Sequence, residues 1–591
     1  MGVAPQRRFA IGVDYGTSSV RALVVDIDDG AEIGTHVAPY RNGEDGVLID
    51  PADPQLARQN PADYIQGFYE AVGRAVGAAA DEPGFAPDKV VGIGIDTTGS
   101  TPIPVDRDGM PLALHDKLAD DLAAHAWLWK DHTSWAEANE ITEAARRHPH
   151  DYLSKCGGTY SSEWYWAKIL HCKRSAPQVF AAAHGWVELA DFVPAFITGN
   201  TDPATLARGI CAAGHKAMYN ESWGGLPAAD FLASLDPELA PLRERFASPA
   251  LTADRQAGKL IPEVAGKVGL PPGIPVAVGA FDAHMGGVGA GIKPGTLVKI
   301  IGTSTCDMMV APLSEELPDI PGLCGIVAGS IIPGMYGLEA GQSAVGDIFN
   351  WFASRLAPAE LAGGGDAHAG LTAAAAALRP GESGLLALDW NNGNRTILVD
   401  PMLTGLLIGQ TLHTTAAEIY RALVEATAFG ALTIINRFEE YGVAVQEVVN
   451  CGGIAEKNPF VMQIYADVCN RPMKISRSTQ TCALGAAIFG AVAAGAHEDV
   501  AAAQAKMTRI KDTFYEPRPE AARTYADLYI LYRKLHDAFG GAGADAGGGA
   551  VRAPGAPGAA GSPAADTSMA SVMKDLIGIR DRVRRAGGTS G

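Results

Sequence analysis

Three times in this sequence an apolar, strand-like run stops at a turn of small hydroxyl residues and then resumes. Residues 9–13 (FAIGV) lead through DYGTSS into residues 20–26 (VRALVVD). Residues 90–95 (VVGIGI) lead through DTTGS into TPIPVDRDG, and residues 297–310 read LVKIIGTSTCDMMV. Short apolar runs bounded by turn residues read as strands, and two of them joined tightly read as a hairpin. A strand-turn-strand unit that recurs implies internal duplication, with two similar α/β halves facing each other. Length agrees, because 591 residues exceed the roughly 250 to 300 at which a single core stops growing.

The remaining segments arrange themselves around these units. Residues 112–262, between the second and third copies, are rich in Trp and His with mixed helical periodicity, and they read as an insertion that builds the substrate side of the first domain. The run LIPEVAGKVGLPPGIPVAVGAFDAH returns to a core pattern of amphipathic helix, Pro-Gly turn and buried strand (276–279) ending at Asp282. Residues 415–441 predict a long helix, with Thr415 as cap and Glu418 three positions on. A strand at 445–450 and the turn CGGIAEKNP follow. The expected organisation is a first domain over 1–285, a second over 286–539, a Gly/Ala/Pro-rich linker over 540–567 and a C-terminal amphipathic helix and tail over 568–591. In that tail Val572, Leu576, Ile579 and Val583 form a one-sided apolar stripe expected to dock on the body.

The net charge of −19 argues against a nucleic-acid or anionic-membrane partner, since either would repel so acidic a surface. No stretch approaches the ~18 uninterrupted apolar residues of a membrane helix. The eight cysteines are scattered without metal-binding spacing and read as reduced thiols, and the N-terminal residues lack a signal-peptide pattern, so a cytoplasmic location is expected. Oligomeric state is left open, a homo-oligomer included. A small anionic substrate would need local neutralisation on this acidic chain, by a metal ion or by helix N-termini.

The turns offer that chemistry. Phosphoryl transfer needs backbone N–H groups and hydroxyls around a polyphosphate, and a carboxylate for a divalent cation. Asp14, Gly16, Thr17, Ser18 and Ser19 supply all three, with Arg21 on the outgoing strand, although an ordinary hairpin with a capping Asp would look the same. The turns at Asp96–Ser100 and at Gly302, Thr303, Ser304 and Thr305 are of the same type, and strand ends in two similar halves would converge on one cleft. In GAFDAHMGG a strand delivers Asp282, a candidate base for an alcohol hydroxyl, with a helix-capping Asp as the alternative. His284 beside it reads as a satisfied structural histidine. Gly452 and Gly453, with Asn458 at the following helix, would let a nucleotide lie against the backbone, or are a plain strand-to-helix turn. Trp127, Trp129, Lys130, His132, Lys216 and Glu339 are the aromatic and hydrogen-bonding groups available to a sugar. No GxGxxG opens a helix after the first strand, which disfavours a dinucleotide-binding dehydrogenase.

In this order the motifs resemble the FGGY carbohydrate kinase family over nearly the whole chain, from Ile11 to about Gly540. The second signature of the family is represented by GLLIGQTLHTTAAEIYRALVEATAFGA, in which Gln410 and Leu423 depart from the general pattern. HAWLWKDH, GGTYSSEW, AGHKAMYNE, GAFDAHMGG and GLEAGQSAVGDIF are similar to its ribulokinase branch. The resemblance implies an α/β fold of duplicated actin-like ATPase, ribonuclease H-like domains flanking a nucleotide and sugar cleft. It implies transfer of the ATP γ-phosphoryl group to the 5-hydroxyl of L-ribulose, or of another pentulose or polyol, with Mg²⁺. It carries over Asp282 as catalytic base, Gly99, Trp129, Lys216, Asp282 and Glu339 as the ketopentose pocket, and Asp14 as the carboxylate near Mg²⁺. Gly16 to Ser19 and Thr303 match phosphate-binding turns, and Gly452 and Gly453 match the nucleotide-binding turn. A sugar- or nucleotide-binding regulator on the same fold is the alternative of a different class, and it would be expected to lose Asp282 or the DxGTS turn.

Overall fold

Small turn residues between two β-rich runs let the chain reverse, and in residues 9–26 it does. Phe9–Tyr15 pairs antiparallel with Ser19–Asp26, Tyr15 lying opposite Val20 and Phe9 opposite Asp26. The structure is a computed structural model that describes residues 7–246, 249–358, 367–541 and 569–587. The same hairpin recurs where Thr296–Ile301 pairs antiparallel with Thr305–Pro312.

Each hairpin seeds a sheet, and the two sheets share one order. The first runs Gln256–Lys259, Pro275–Ala277, Val90–Thr97, Phe9–Tyr15, Ser19–Asp26, Glu32–Pro39. The second runs Ile510–Tyr515, Met473–Ser476, Glu447–Cys451, Thr296–Ile301, Thr305–Pro312, Met335–Ala340, with Gly325–Ala328 at its edge. In both, the hairpin mate is antiparallel and the strand on the other side is parallel. The duplication expected from the repeated unit is therefore present, strand for strand.

The middle copy of that unit is something else. Val90–Thr97 is the parallel neighbour of Phe9–Tyr15, not the first arm of a hairpin, and Pro102–Val105 leaves the sheet to pair with Gly185–Glu188. Its true counterpart is Glu447–Cys451 with the Gly452 turn. A continuously apolar run suits a central parallel strand buried on both faces as well as it suits a hairpin arm, so the local pattern misleads.

The two halves meet through a pair of helices, Asp282–Gly289 and Thr481–Ala493. The second of these, which comes between the second half's strands Met473–Ser476 and Ile510–Tyr515 in sequence, lies against the first half's sheet. The approach is so close that a β-carbon on Gly12 would sit 1.7 Å from the Ala483 carbonyl oxygen, and one on Gly94 1.8 Å from that of Ala486. Glycine there is a packing requirement.

Much of 112–262 builds a core of its own around Trp127, Trp166, Trp186, Tyr160 and Phe231, but the helix Leu189–Thr198 and Leu206 pack in the core of the first sheet, and Gln256–Lys259 joins that sheet's edge. Ala416–Glu440 is the long helix predicted, opened by a capping box between Thr415 and Glu418. At the C-terminus the helix Val572–Gly587 docks otherwise than expected: Met573 is buried in the core of the second half and Lys574 pairs with Asp400 at 2.5 Å, whereas Val572, Leu576 and Ile579 are exposed. The helix is held by its first turn, and its apolar stripe faces away. The Val583 side chain and residues 542–567 of the linker lie outside the described residues.

Candidate functional site

The two equivalent hairpin turns each close on the N–H of their first glycine, the first turn one residue longer than the second. The Gly16 N–H donates to the Ser19 carbonyl at 3.0 Å, and the Gly302 N–H donates to the Ser304 carbonyl at 3.0 Å. Thr17 is pinned from two sides: its hydroxyl accepts from the Trp129 indole at 3.1 Å and its carbonyl from the Gln59 amide at 2.7 Å. Ser18 is exposed, and its carbonyl accepts from the Tyr40 N–H at 2.9 Å. Arg21 lies opposite Asp14 in the ladder, its guanidinium 3.7 Å from the carboxylate. In the second turn the Thr303 carbonyl accepts from the N–H groups of Val345 and Asp347 at 2.8 and 3.1 Å, while Gly302 and Thr303 stay exposed. Gly452 has φ of +95°, and a β-carbon there would meet the Ile301 carbonyl at 2.5 Å, so this turn lies against the strand that carries Gly302. Gly453 opens the helix Gly453–Lys457. The Asn458 side chain accepts from the Val461 N–H at 3.2 Å, capping the helix Pro459–Cys469.

Asp282 is the first residue of the helix Asp282–Gly289, at the end of Ala280–Phe281, and its carboxylate accepts from the Ala283 N–H at 2.6 Å. Burial, and then the charge of Asp14, push this carboxyl up to about 7, against the opposing pull of that N–H and of Lys216. Asp282 is thus within electrostatic reach of both the first turn and the Lys216 cluster. There the Lys216 ammonium lies 3.1 and 3.2 Å from the two Glu339 oxygens, joining the insertion to the second half. Burial is the largest single influence on the Glu339 carboxyl and would raise it, but Lys216, His215 and His284 together hold it well below the usual range. Gly99 abuts the Phe281 ring, which a β-carbon would reach at 2.0 Å. The structure therefore brings Asp14, Asp282, Lys216 and Glu339 to one place, with Gly99 behind Phe281 and Trp129 against the first turn.

Several residues of this site carried no role in the sequence reading. His284 is buried with neither ring nitrogen hydrogen-bonded, which corrects its expected status as a satisfied histidine. Its Nε2 is 3.8 Å from Glu339, and His215 Nδ1 is 3.3 Å from the same carboxylate. Burial lowers both imidazoles, His284 to about 4, so both are neutral near pH 7. These two histidines and Glu339 come close enough together to ligate a metal, but the Lys216 ammonium already neutralises the carboxylate, which suits the trio to hydroxyl groups rather than to a cation. Lys168 is fully buried and donates to the carbonyls of Ser100, Trp127 and Leu128 at 2.9, 3.2 and 2.8 Å, and Glu188 accepts from the Ser100 hydroxyl and from the Thr101 N–H. This pair fixes the Gly99 turn and the backbone leading to Trp129. Asp96, in the same turn motif, is fully buried beside Asp14.

Two family models match the chain. Residues 9–289 match the N-terminal domain of the FGGY family of carbohydrate kinases, and residues 297–494 match its C-terminal domain. A ribulokinase of Shouchella clausii is 44% identical over 551 residues, 90% of this chain and 96% of that protein. A ribulokinase of Mycolicibacterium smegmatis is 42% identical over 546 residues, covering 90% of this chain and 94% of its own. Among solved structures, xylulose kinase from Rhodospirillum rubrum superposes with a TM-score of 0.73 at 24% identity over 90% of this chain and 98% of that one. Plasmodium falciparum glycerol kinase with ADP superposes with a TM-score of 0.71 at 15% identity, over 90% and 98% of the two chains. These superpositions share the fold: two matched α/β halves around a cleft.

Proposed function

The chain belongs to the FGGY family of carbohydrate kinases, ATP-dependent sugar kinases, and from that membership we propose that it is a ribulokinase, moving the ATP γ-phosphoryl group to the 5-hydroxyl of L-ribulose. The observation that carries the reading is Asp282, a partly buried carboxyl of raised pKa set between a hydroxyl-lined turn and the Lys216–Glu339 pair. In this reading Asp282 accepts the proton of the attacking hydroxyl as the phosphoryl group arrives, and no other residue stores it. Lys216, Glu339, Trp129 and the Gly99 turn bind and orient the ketopentose. With the Gly16 and Gly302 N–H groups closing their turns, the backbone N–H groups and hydroxyls of Thr17 to Ser19, with Arg21, and those of Thr303 hold the phosphates. Gly452 and Gly453 make room for the nucleoside, and Asn458 shapes that wall through its helix cap. Catalysis is then mainly positioning and charge stabilisation in a cleft that excludes water.

The cation proposed is Mg²⁺, and Asp14 fits it. Its nearest positive group, Arg21, stands off at 3.7 Å, longer than a tight ion pair, so the carboxylate retains coordinating capacity toward the turn. When bound, the ion supplies positive charge that offsets the charge developing on the phosphoryl oxygens. The eight free cysteines support a reducing, cytoplasmic setting.

The test is ADP release with Mg-ATP against L-ribulose, D-ribulose, L- and D-xylulose, ribitol and glycerol, comparing kcat/KM. Preference for L-ribulose is expected. Preference for another polyol would replace the substrate and keep the kinase, and the absence of sugar-stimulated ADP release would favour a sugar-binding regulator.

A further inference from the structure

Asp14 and Asp96 are register partners on adjacent parallel strands, Phe9–Tyr15 and Val90–Thr97. Residues in register on neighbouring strands point to the same face, with backbones about 4.8 Å apart, so the two carboxyl groups stand side by side at the carboxyl ends of the strands. Asp96 has no solvent exposure, and neither of its oxygens has a hydrogen-bond partner other than the facing Asp14 carboxyl. It contributes the only carboxylate oxygens among the unpaired buried polar atoms of the described residues. The other buried acids show how this protein ordinarily treats such a group. Asp307 is held by Lys299, Asp191 by Arg208 and the Gly209 N–H, and Asp389 by Gln342 and Tyr532. A buried carboxylate without partners is costly, and one kept beside a second carboxylate is costlier still. The burden is lifted when a cation enters between them.

We propose that Asp96 supplies the second carboxylate of the divalent-cation site that Asp14 begins. The inference rests on the kinase reading above, since the ion would arrive with the nucleotide. A magnesium ion held by one or two carboxylates together with substrate phosphates and its own waters is the usual arrangement in phosphoryl transfer, and two adjacent acids at the base of a phosphate turn match it. Burial, the neighbouring charges of Asp14 and Asp282 and the contact with the Asp14 carboxyl push the Asp96 carboxyl well above its ordinary value, so a proton is held at this pair until a cation displaces it. The rival is a proton shared between Asp14 and Asp96 as a fixed structural link, with no cation involved.

The experiment is Mn²⁺ binding to the full chain in the presence of ADP, followed by electron paramagnetic resonance, for the wild type, Asp96→Asn and Asp14→Asn. Both variants are expected to bind Mn²⁺ about 10 to 100 times more weakly, while the melting temperature without metal rises in Asp96→Asn because the repulsion between the two acids is relieved. Asp96→Ser, smaller and neutral, provides the same comparison if the amide packs badly. Mn²⁺ affinity in Asp96→Asn or Asp96→Ser within about twofold of wild type, with Asp14→Asn weakened, would overturn the proposal whatever happens to turnover. Because the readout is the ion and not the sugar, it stands apart from the substrate panel. A failed substrate assignment would leave the Mn²⁺ result intact.

Discussion

The indole N–H of Trp129 donates to the Thr17 hydroxyl over 3.1 Å, so a residue of the long insertion holds the first hairpin turn in place. Sugar side and phosphate side are thereby joined by one hydrogen bond. Trp129→Phe keeps an aromatic face and loses the donor. A net loss of about 1 kcal/mol corresponds to roughly a fivefold change, and it should raise KM for both Mg-ATP and the sugar. A rise confined to the sugar would mean that the bond does not organise the turn.

Asp282→Asn removes the proton acceptor and preserves shape. Turnover should fall about 10²- to 10⁴-fold, while ADP affinity by calorimetry stays within about threefold of wild type. Near-normal turnover would remove Asp282 from the reaction.

The pH dependence follows from the same group. Asp282 acts as a base only when ionised, so kcat/KM for the sugar should climb with unit slope as pH rises toward about 7 and level off above it. Glu339 stays ionised throughout that range and contributes no second limb. The stability effect has the opposite sense: the folded carboxyl holds its proton more tightly than the unfolded one at 3.8, which favours the folded state in acid, and this advantage is lost as pH rises through about 7. Asp282→Asn should therefore raise the melting temperature at pH 8 and change it little at pH 4. Equal shifts at both values would contradict the raised pKa.

Lys168 donates to three carbonyls from a site with no solvent exposure. Lys168→Met would leave those three buried carbonyls without their donor, at a cost of about 1 to 3 kcal/mol for each group that stays unsatisfied. Urea unfolding measures it. A loss below about 1 kcal/mol, the range of an exposed ion pair, would show that the lysine is not what holds the Gly99 turn.

What the sequence made legible was local. The hairpin of residues 9–26 and the Thr415–Glu418 capping box depend on neighbours a few positions apart, and both are present as read. The duplication was visible through the two true hairpins. The run at 90–97 was misassigned because a hairpin arm and a buried parallel strand share one apolar pattern, and only pairing with Phe9–Tyr15 separates them. Asp96 was visible as a turn residue, but its isolation arises from Asp14, 82 positions earlier, across the sheet. His215 and Lys168 likewise gain their meaning from groups far away in sequence, Glu339 and the Ser100 carbonyl. In the C-terminal helix the apolar period was right, yet nothing in a period tells which side the body will occupy, and Met573 took that place.

The helix Thr481–Ala493 lies on the glycine-bearing strands of the first sheet, although roughly 200 residues of chain separate it from the helix Asp282–Gly289. During synthesis at about 5 to 20 residues per second, that separation corresponds to about 10 to 40 seconds in which Gly12, Gly92 and Gly94 present a bare, shallow surface. The N-terminal half thus emerges from the ribosome with one face uncovered, and its maturation waits on the C-terminal half. An early stop or a slow stretch of translation before residue 481 would deliver a nascent chain prone to capture by chaperones.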